Sequence, residues 1–184
     1  MRGGSATVAA VAAALVALAA GASSVQTASA ASAQPTRKIQ SVDRLEPLVL
    51  AELNRVRVAH SLRPLRLSTK LSAAADLHSR SMGRLGFFAH ESSDGSPFWK
   101  RVQRFYPQGS FRNWSVGENL LWASPTLGAE RALELWMASP KHRQNILTPI
   151  WREIGIAAVS VDAAPGVFAG NDVTIVSTEF GTRA

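Results

Sequence analysis

The sequence predicts an α+β domain, because helical periodicity fills most of the chain and strand periodicity its last quarter. Apolar side chains recur at helical spacing over residues 48–60 and again over residues 71–82. Over residues 154–158 and 173–175 they recur at every second position, as in strands that bury one face. Helices followed by a hairpin predict helices packed in layers on a sheet.

The composition limits the chain to a single, cysteine-free domain. The 184 residues allow one domain of ordinary size, and 46% hydrophobic against 18% charged residues excludes a disordered chain. Since there is no cysteine, disulfides, thiolate zinc sites, iron–sulfur clusters and a cysteine nucleophile are excluded. Histidines and carboxylates would have to supply any metal site or acid–base chemistry.

The N-terminus has the pattern of a secretory signal peptide. Arg2 precedes an apolar run over residues 6–20, and small-x-small cleavage sites follow at 28–30 and 31–33. A retained membrane anchor is the alternative, but the run is shorter than the roughly 20 residues that span a bilayer. We expect a signal peptide over 1–33, a flexible lead-in over 34–45 and the folded domain over 46–184.

Export would therefore place the mature protein outside the cell or at the cell envelope, without a membrane span. Removal of the signal peptide takes away one arginine and no acid. The formal net charge then falls from +7 to 19 − 13 = +6.

The first two helices are indicated by their apolar stripes and their end signals. Pro47 suits a first helical turn, so the first helix is predicted from about Pro47 to Ser61. Ser68 is the predicted N-cap of the second helix, whose buried stripe runs from Leu71 to Met82. Gly83 and Gly86 mark its end.

Three serine–proline pairs divide the middle of the chain. A serine N-cap followed by proline at the first helical position is a common helix start. Ser96-Pro97 predicts the start of a short helix, and Ser124-Pro125 predicts the start of the third long helix. Ser139-Pro140 is predicted to end that long helix and to start another turn.

Histidines are the scarce, chemically informative residues. The chain has four, namely His60, His78, His90 and His142. His60 ends the first helix and is predicted to be structural or exposed, whereas His78 lies on a buried stripe and is predicted to be a hydrogen-bonded core residue. Metalloprotease and nucleophile-elbow motifs are missing from the sequence, so a site must be assembled from distant segments.

Several short motifs occur in an order that resembles one known family. They are Asn54-Arg55-Val56-Arg57, residues 74–79, Phe88-Ala89-His90, Gly117-Glu118-Asn119-Leu120, residues 136–143, Asn145-Ile146-Leu147, Ile154-Gly155-Ile156 and Phe180-Gly181. This order resembles the CAP superfamily of cysteine-rich secretory, antigen 5 and pathogenesis-related proteins, also called the SCP-like extracellular domain. The resemblance covers about residues 46–181 and implies a three-layer α–β–α sandwich around a small, mainly antiparallel sheet.

The resemblance also implies a cleft with two histidines and two acidic residues. It places four ligand-binding residues in that cleft, namely His90, Glu118, His142 and Ser139. The second acidic position falls on Ser139, where bacterial members commonly have Ser-Pro. Lys141 replaces the glycine that usually precedes the second histidine.

Two interpretations of this cleft stay open. A zinc-like divalent metal could be held by His90, His142 and Glu118, with one position left for water. The positive charges of Lys141 and Arg143 oppose such a bound cation. Alternatively, the three residues form a buried hydrogen-bond network that holds helices on the sheet. We expect a cleft that binds a small ligand or a divalent metal.

Two further functions are considered beside ligand binding. The first is a metal-dependent, protease-like hydrolase in which Glu118 is the general base. A nucleophilic role for Ser139 is disfavoured, because serine before proline is usually a helix cap. The second is a non-catalytic module that interacts with the cell envelope. The resemblance names no shared reaction, so the sequence assigns no enzymatic activity.

The expected partners are a small molecule or lipid, or an anionic cell-envelope polymer. No nucleic-acid motif accompanies the positive charge. The densest basic group is either a solvated surface or a region that attracts such anions. Its members are Arg80, Arg84, Lys100, Arg101 and Arg104.

Overall fold

A five-stranded sheet forms the centre of the domain. The computed structural model describes residues 38–184, so the predicted signal peptide lies outside the described residues. Four strands follow the order β1-β4-β5-β3 with antiparallel pairing, and β2 pairs parallel to β4 beside β1. The strands are β1 Ile39–Ser41, β2 Arg66–Leu67, β3 Trp114–Ala123, β4 Glu153–Val161 and β5 Val173–Arg183.

Helices cover both faces of this sheet. They are α1 Leu45–Ala59, α2 Thr69–Leu85, α3 Phe98–Phe105, α4 Ala129–Ala138 and α5 Pro140–Ile146, and a short 3₁₀ helix spans Gly166–Phe168. Within residues 38–184, no helix combines the length and the apolar character that crossing a membrane requires.

Side-chain alternation along β4 and β5 divides the core into two layers. Ile154, Ile156 and Phe180 point to one face and pack with apolar residues of α1, α4 and α5. Val159 and Ile175 point to the other face and pack with the end of α2. The result is the predicted α–β–α sandwich with a mainly antiparallel sheet.

A close approach between backbone segments fixes α2 on the sheet. A Cβ atom at Gly155 would lie 2.0 Å from the backbone carbonyl carbon of Leu71 and 2.2 Å from the backbone nitrogen of Ser72. Only glycine leaves room for this contact. The Ser72 hydroxyl also accepts a hydrogen bond from the backbone N–H of Ile156 at 3.1 Å.

Two of the three serine–proline predictions need correction. Helix α3 begins at Phe98, with Pro97 rather than Ser96 as the N-cap. Helix α4 begins at Ala129 with Gly128 as its N-cap, because β3 continues to Ala123 and the chain uses residues 124–128 to leave the sheet. The third prediction is confirmed, since Ser139 is the N-cap of α5 and Pro140 its first residue.

Part of the predicted flexible lead-in is a strand. Ile39–Ser41 pairs with Val159–Val161 at the edge of the sheet, and Arg80 Nη2 donates a hydrogen bond to Ser41 Oγ at 2.6 Å. Helix α1 then begins at Leu45, two residues before the predicted start. The pairing with β4 accounts for the difference, because a three-residue strand has too little periodicity to be read from sequence.

Candidate functional site

Two buried carboxyl groups lie side by side on β3 and β5. Glu118 and Glu179 are directly paired across the two strands, so both side chains point to the face that α2 and α3 cover. Both side chains are 0% exposed. Such a pair requires a counter-charge or a shared proton, since two adjacent buried carboxylates repel each other.

Arg101 of α3 supplies the counter-charge. Its Nη2 donates to Glu118 Oε2 and, at 3.3 Å, to Glu179 Oε1. Its Nη1 donates to Ser92 Oγ at 3.0 Å and to the His90 carbonyl oxygen at 3.3 Å. Arg101 therefore connects the sheet to the loop that follows α2.

The two carboxyl groups differ in protonation. Burial raises the pKa of Glu179 well above its ordinary value, and the charge of Glu118 and a side-chain hydrogen bond to it add to the rise. Burial also favours a higher pKa for Glu118, but the hydrogen bond with His90, the charge of Arg101 and the hydrogen bond from Glu179 outweigh it and lower the pKa. Glu118 is thus the stronger acid of the pair, and Glu179 is the carboxyl group that favours the protonated form.

His90 is the member of this cluster that reaches solvent. Its Nδ1 lies 2.7 Å from Glu118 Oε1, while 51% of its side chain is exposed. The hydrogen bond with Glu118 raises the pKa of His90, against the effects of burial and of Arg101. Because Nδ1 donates to Glu118, Nε2 is the nitrogen left to meet a ligand. Glu118 itself is covered and presents no free oxygen to a substrate.

The backbone of His142 lies beside the opposite face of the edge strand. Its carbonyl oxygen accepts a hydrogen bond from Asn119 Nδ2 at 3.1 Å, and Asn119 points to the face opposite Glu118 because neighbouring residues alternate along β3. Its imidazole is half-buried and has no hydrogen-bond partner among residues 38–184. Burial, followed by the positive charge of His90, lowers the pKa of His142.

The residues predicted as metal ligands do not fit a metal ion. Over residues 38–184, no group of three or more His, Asp or Glu side chains is arranged to hold one. Glu118 directs one oxygen to His90 and the other to Arg101, so each oxygen already accepts a hydrogen bond from a protein donor. Among the three predicted ligands, His90 and Glu118 form a hydrogen-bonded pair, and the His142 side chain is hydrogen-bonded to neither.

The remaining predicted residues have structural roles in this region. Ser139 is a half-buried N-cap and is not hydrogen-bonded to Glu118. His78 is 1% exposed, and its Nε2 donates to the Ala89 carbonyl at 2.8 Å, which confirms the prediction of a core histidine. His60 is the exposed C-cap of α1, also as predicted.

Sequence reasoning missed Arg101 and Glu179. Arg101 belongs to the basic group for which a solvated surface is one interpretation, yet only 4% of its side chain is exposed. The signal is present in the sequence, because Phe98, Arg101, Val102 and Phe105 follow the spacing of a buried helical stripe. Glu179 is the one acid in β5 and lies next to Phe180, so an isolated acid in an apolar strand is its signal.

Two features together define an SCP-type domain. They are the three-layer sandwich and the buried glutamate of the Gly117-Glu118-Asn119 triplet in its edge strand. The sequence model of the cysteine-rich secretory protein family, CAP, matches residues 50–171. The chain belongs to this family.

Individual relatives agree with this assignment. YkwD of Bacillus subtilis (strain 168) is 32% identical over 120 residues, which cover 65% of this chain and 44% of YkwD, so the match spans less than half of that relative. An extracellular SCP-domain protein of Bacillus anthracis str. Ames is similar in structure, with a TM-score of 0.58 and 22% identity over 75% of this chain and 40% of that one.

A second solved structure is matched over nearly its whole length. It is an outer surface protein of Borrelia burgdorferi, with a TM-score of 0.58 at 19% identity over 75% of this chain and 92% of that one. At these identities the two structures support the fold alone.

Proposed function

We propose that this chain is an exported CAP-domain protein that binds a small ligand through His90, outside the cell or at its envelope. The observation that carries the proposal is the half-exposed His90 imidazole, whose Nδ1 is held 2.7 Å from the fully covered Glu118. Export is supported by the predicted signal peptide and by the names of two structural neighbours, one an extracellular protein and one an outer surface protein.

The cluster behind His90 orients the ring before any ligand arrives. Glu118 accepts from Nδ1, Arg101 holds Glu118, and Phe98 lies beside the ring at a centroid distance of 6.5 Å. A side chain fixed in this way loses little conformational entropy on binding. The raised pKa of His90 favours the protonated ring, in which Nε2 is a donor. The matching ligand group is an acceptor such as a carboxylate or a carbonyl.

The structure favours ligand binding over the hydrolase alternative. A general base must reach the water or group from which it takes a proton, and the covered Glu118 does not. A metal-bound water is not supported either, because the described histidines and acids form no metal-binding group.

Nuclear magnetic resonance of the exported form tests ligand binding at His90. Acetate offers acceptor oxygens, whereas methylammonium offers only donors and serves as the matched probe. We expect acetate to shift the Nε2 resonance of His90 saturably and leave the exposed His60 unchanged. Equal shifts with both probes would refute the proposal. So would acetate-induced shifts of the backbone amides of Ala89 and Glu91 that a His90→Gln variant retains.

A zinc titration separates ligand binding from the metal prediction. We expect the heat of zinc binding to be the same for the wild type and a His90→Ala/His142→Ala variant. Zinc binding that only the variant loses would contradict this expectation and support a metal site at His90 and His142.

Export is tested with a reporter. Residues 1–45 fused to alkaline phosphatase should give activity outside the cytoplasm, and deletion of residues 6–20 should abolish it. Activity that survives the deletion would contradict a signal peptide.

A further inference from the structure

A second concave site lies beside the His90 cluster and has different chemistry. It is a cleft of about 540 Å³ between α2, the loop over residues 91–97, and α3. Arg84 of α2 and Lys100 and Arg104 of α3 line it, and Arg101 forms part of its wall. We refer to this site as the basic cleft.

The three rim cations of the basic cleft lack ion-pair partners. Within residues 38–184, Arg84, Lys100 and Arg104 form no salt bridge and no side-chain hydrogen bond. By contrast, Arg80, only four residues before Arg84 on α2, pairs with Asp76 at 2.8 Å. Unpaired cations around a concavity raise the local positive potential, because the low-dielectric walls focus the field.

The single acid in the lining does not neutralise these charges. Asp94 Oδ1 accepts a hydrogen bond from the Ser96 backbone N–H at 2.9 Å. Hydrogen bonds with the side chain and the backbone of Ser96 lower the pKa of Asp94, with a smaller effect from Lys100. Asp94 thus holds the loop in a turn, and three cations against one acid leave an excess of positive charge at the rim.

Neutral donors complete the lining. The hydroxyl groups of Ser81 and Ser93 line the cleft and have no hydrogen-bond partner among residues 38–184. Guanidinium groups bind the oxygens of phosphate in a bidentate manner, and hydroxyl groups add single hydrogen bonds. The volume exceeds that of a lone phosphate and lies in the range of small-molecule sites.

We propose that the basic cleft binds the phosphoryl group of a phosphate ester of a small polyol, either as a free ester or as a lipid headgroup. This site is separate from the acceptor-binding site proposed at His90, because its rim cations belong to other side chains. Four of the five residues of the predicted basic group line this cleft, and Arg80 lies outside it.

Calorimetry of the exported form with glycerol 3-phosphate tests the proposal, with glycerol as the uncharged matched probe. We expect saturable binding of the ester, no binding of glycerol, and a steep loss of affinity with added salt. An Arg84→Ser/Arg104→Ser variant should bind at least roughly tenfold more weakly, since hydrogen bonds to charged groups are the strong ones.

A charge-matched variant controls for net charge. Lys70→Ser/Arg63→Ser removes two exposed cations outside the cleft, and Lys70 lies about 21 Å from Arg84 along α2 at 1.5 Å per residue. This variant should bind the ester like the wild type. An equal loss in both variants, or no saturable binding by the wild type, would overturn the proposal.

A second measurement on the wild type does not depend on variant folding. The ester should shift the backbone amide resonances of residues 92–96 and of Arg84, whereas shifts confined to other regions would overturn the site. Sedimentation with phosphatidylglycerol and phosphatidylcholine vesicles then identifies the source. If the wild type sediments with the anionic vesicles and the Arg84→Ser/Arg104→Ser variant does not, the phosphoryl group belongs to a lipid headgroup. If the wild type binds the ester but does not sediment with the vesicles, the ligand is a soluble ester.

Discussion

Replacing Arg101 with methionine should destabilise the domain strongly. Methionine keeps most of the volume of the side chain but removes the buried guanidinium that contacts both Glu118 and Glu179. The Glu118 carboxylate, at 0% exposure, is then left buried without its guanidinium partner. Breaking a buried ion pair by removing one partner reduces the free energy of unfolding by about 3–5 kcal/mol.

The loss of stability in the Arg101→Met variant can be measured by thermal and urea unfolding of the exported form. For a domain of this size, a loss of about 3 kcal/mol lowers Tm by roughly 10 °C. Arg104→Met is the matched control, because Arg104 lies one turn further along the same helix and is exposed. That substitution should change stability by less than about 0.5 kcal/mol.

The effect of Arg101→Met should depend on pH. The folded-state pKa of Glu118 is lowered, so its stabilising contribution is present above its unfolded-state pKa and is lost as the pH falls through the folded-state pKa. Without Arg101 that pKa rises, so the difference between wild type and variant should shrink on acidification.

A double-mutant cycle with Glu118→Gln isolates the interaction between the two side chains. The double variant removes both partners of the ion pair, and the raised pKa of Glu179 favours its neutral form. The double variant should therefore be more stable than the sum of the single effects indicates. Additive effects, or a loss below about 1 kcal/mol for Arg101→Met, would refute the ion-pair reasoning.

Two further predictions concern the site and the layer beneath it. Glu118→Gln should lower the pKa of His90 in an NMR titration, and an unchanged pKa would contradict the pairing. It should also remove the stability that protonated His90 contributes. That stability is fully present below the unfolded-state pKa of His90 and is lost as the pH rises through its folded-state pKa. Gly155→Ala should reduce the free energy of unfolding by at least about 3 kcal/mol because its Cβ meets the backbone of Leu71. Gly128→Ala, where a Cβ meets nothing within 4 Å, should change it by less than about 1 kcal/mol in the same denaturation series.

Local periodicity predicted the helices and the C-terminal hairpin well. The stripe from Leu71 to Met82 and the alternation from Ile154 to Ala158 both report burial on one face, and both lie in elements of the expected type. The strand β3 was not predicted. Its sequence is a mixture of small, polar and apolar residues, because both of its faces are partly covered and carry different contacts.

The sequence predicted site residues only where they belong to a motif of the family. Glu118 and His90 came from the family resemblance and do contact each other. Arg101 and Glu179 belong to the same cluster, but 17 and 61 residues separate them from Glu118 along the chain. Their contacts arise from the packing of α3 on the sheet and from the pairing of β5 with β3, and neither relation is encoded in local spacing.

The register between β3 and β5 explains why the Gly-Glu-Asn triplet has this order. Glu118 must face α3 to meet Arg101, so the residues on either side face α5. Gly117 makes room there, since a Cβ at this position would lie 2.6 Å from Asn145 Oδ1.

Asn119 uses the same face differently. It receives a hydrogen bond from Asn145 Nδ2 at 3.0 Å and donates one to the His142 carbonyl. One triplet therefore holds His90 on one face of the edge strand, through Glu118, and the segment with His142 on the other. A shift of one residue in register would reverse both faces, bury the Glu118 charge against α5 and leave Arg101 unpaired. The charge pair and the asparagine contacts thus select the same register, so the strand pairing that builds the fold also assembles the site.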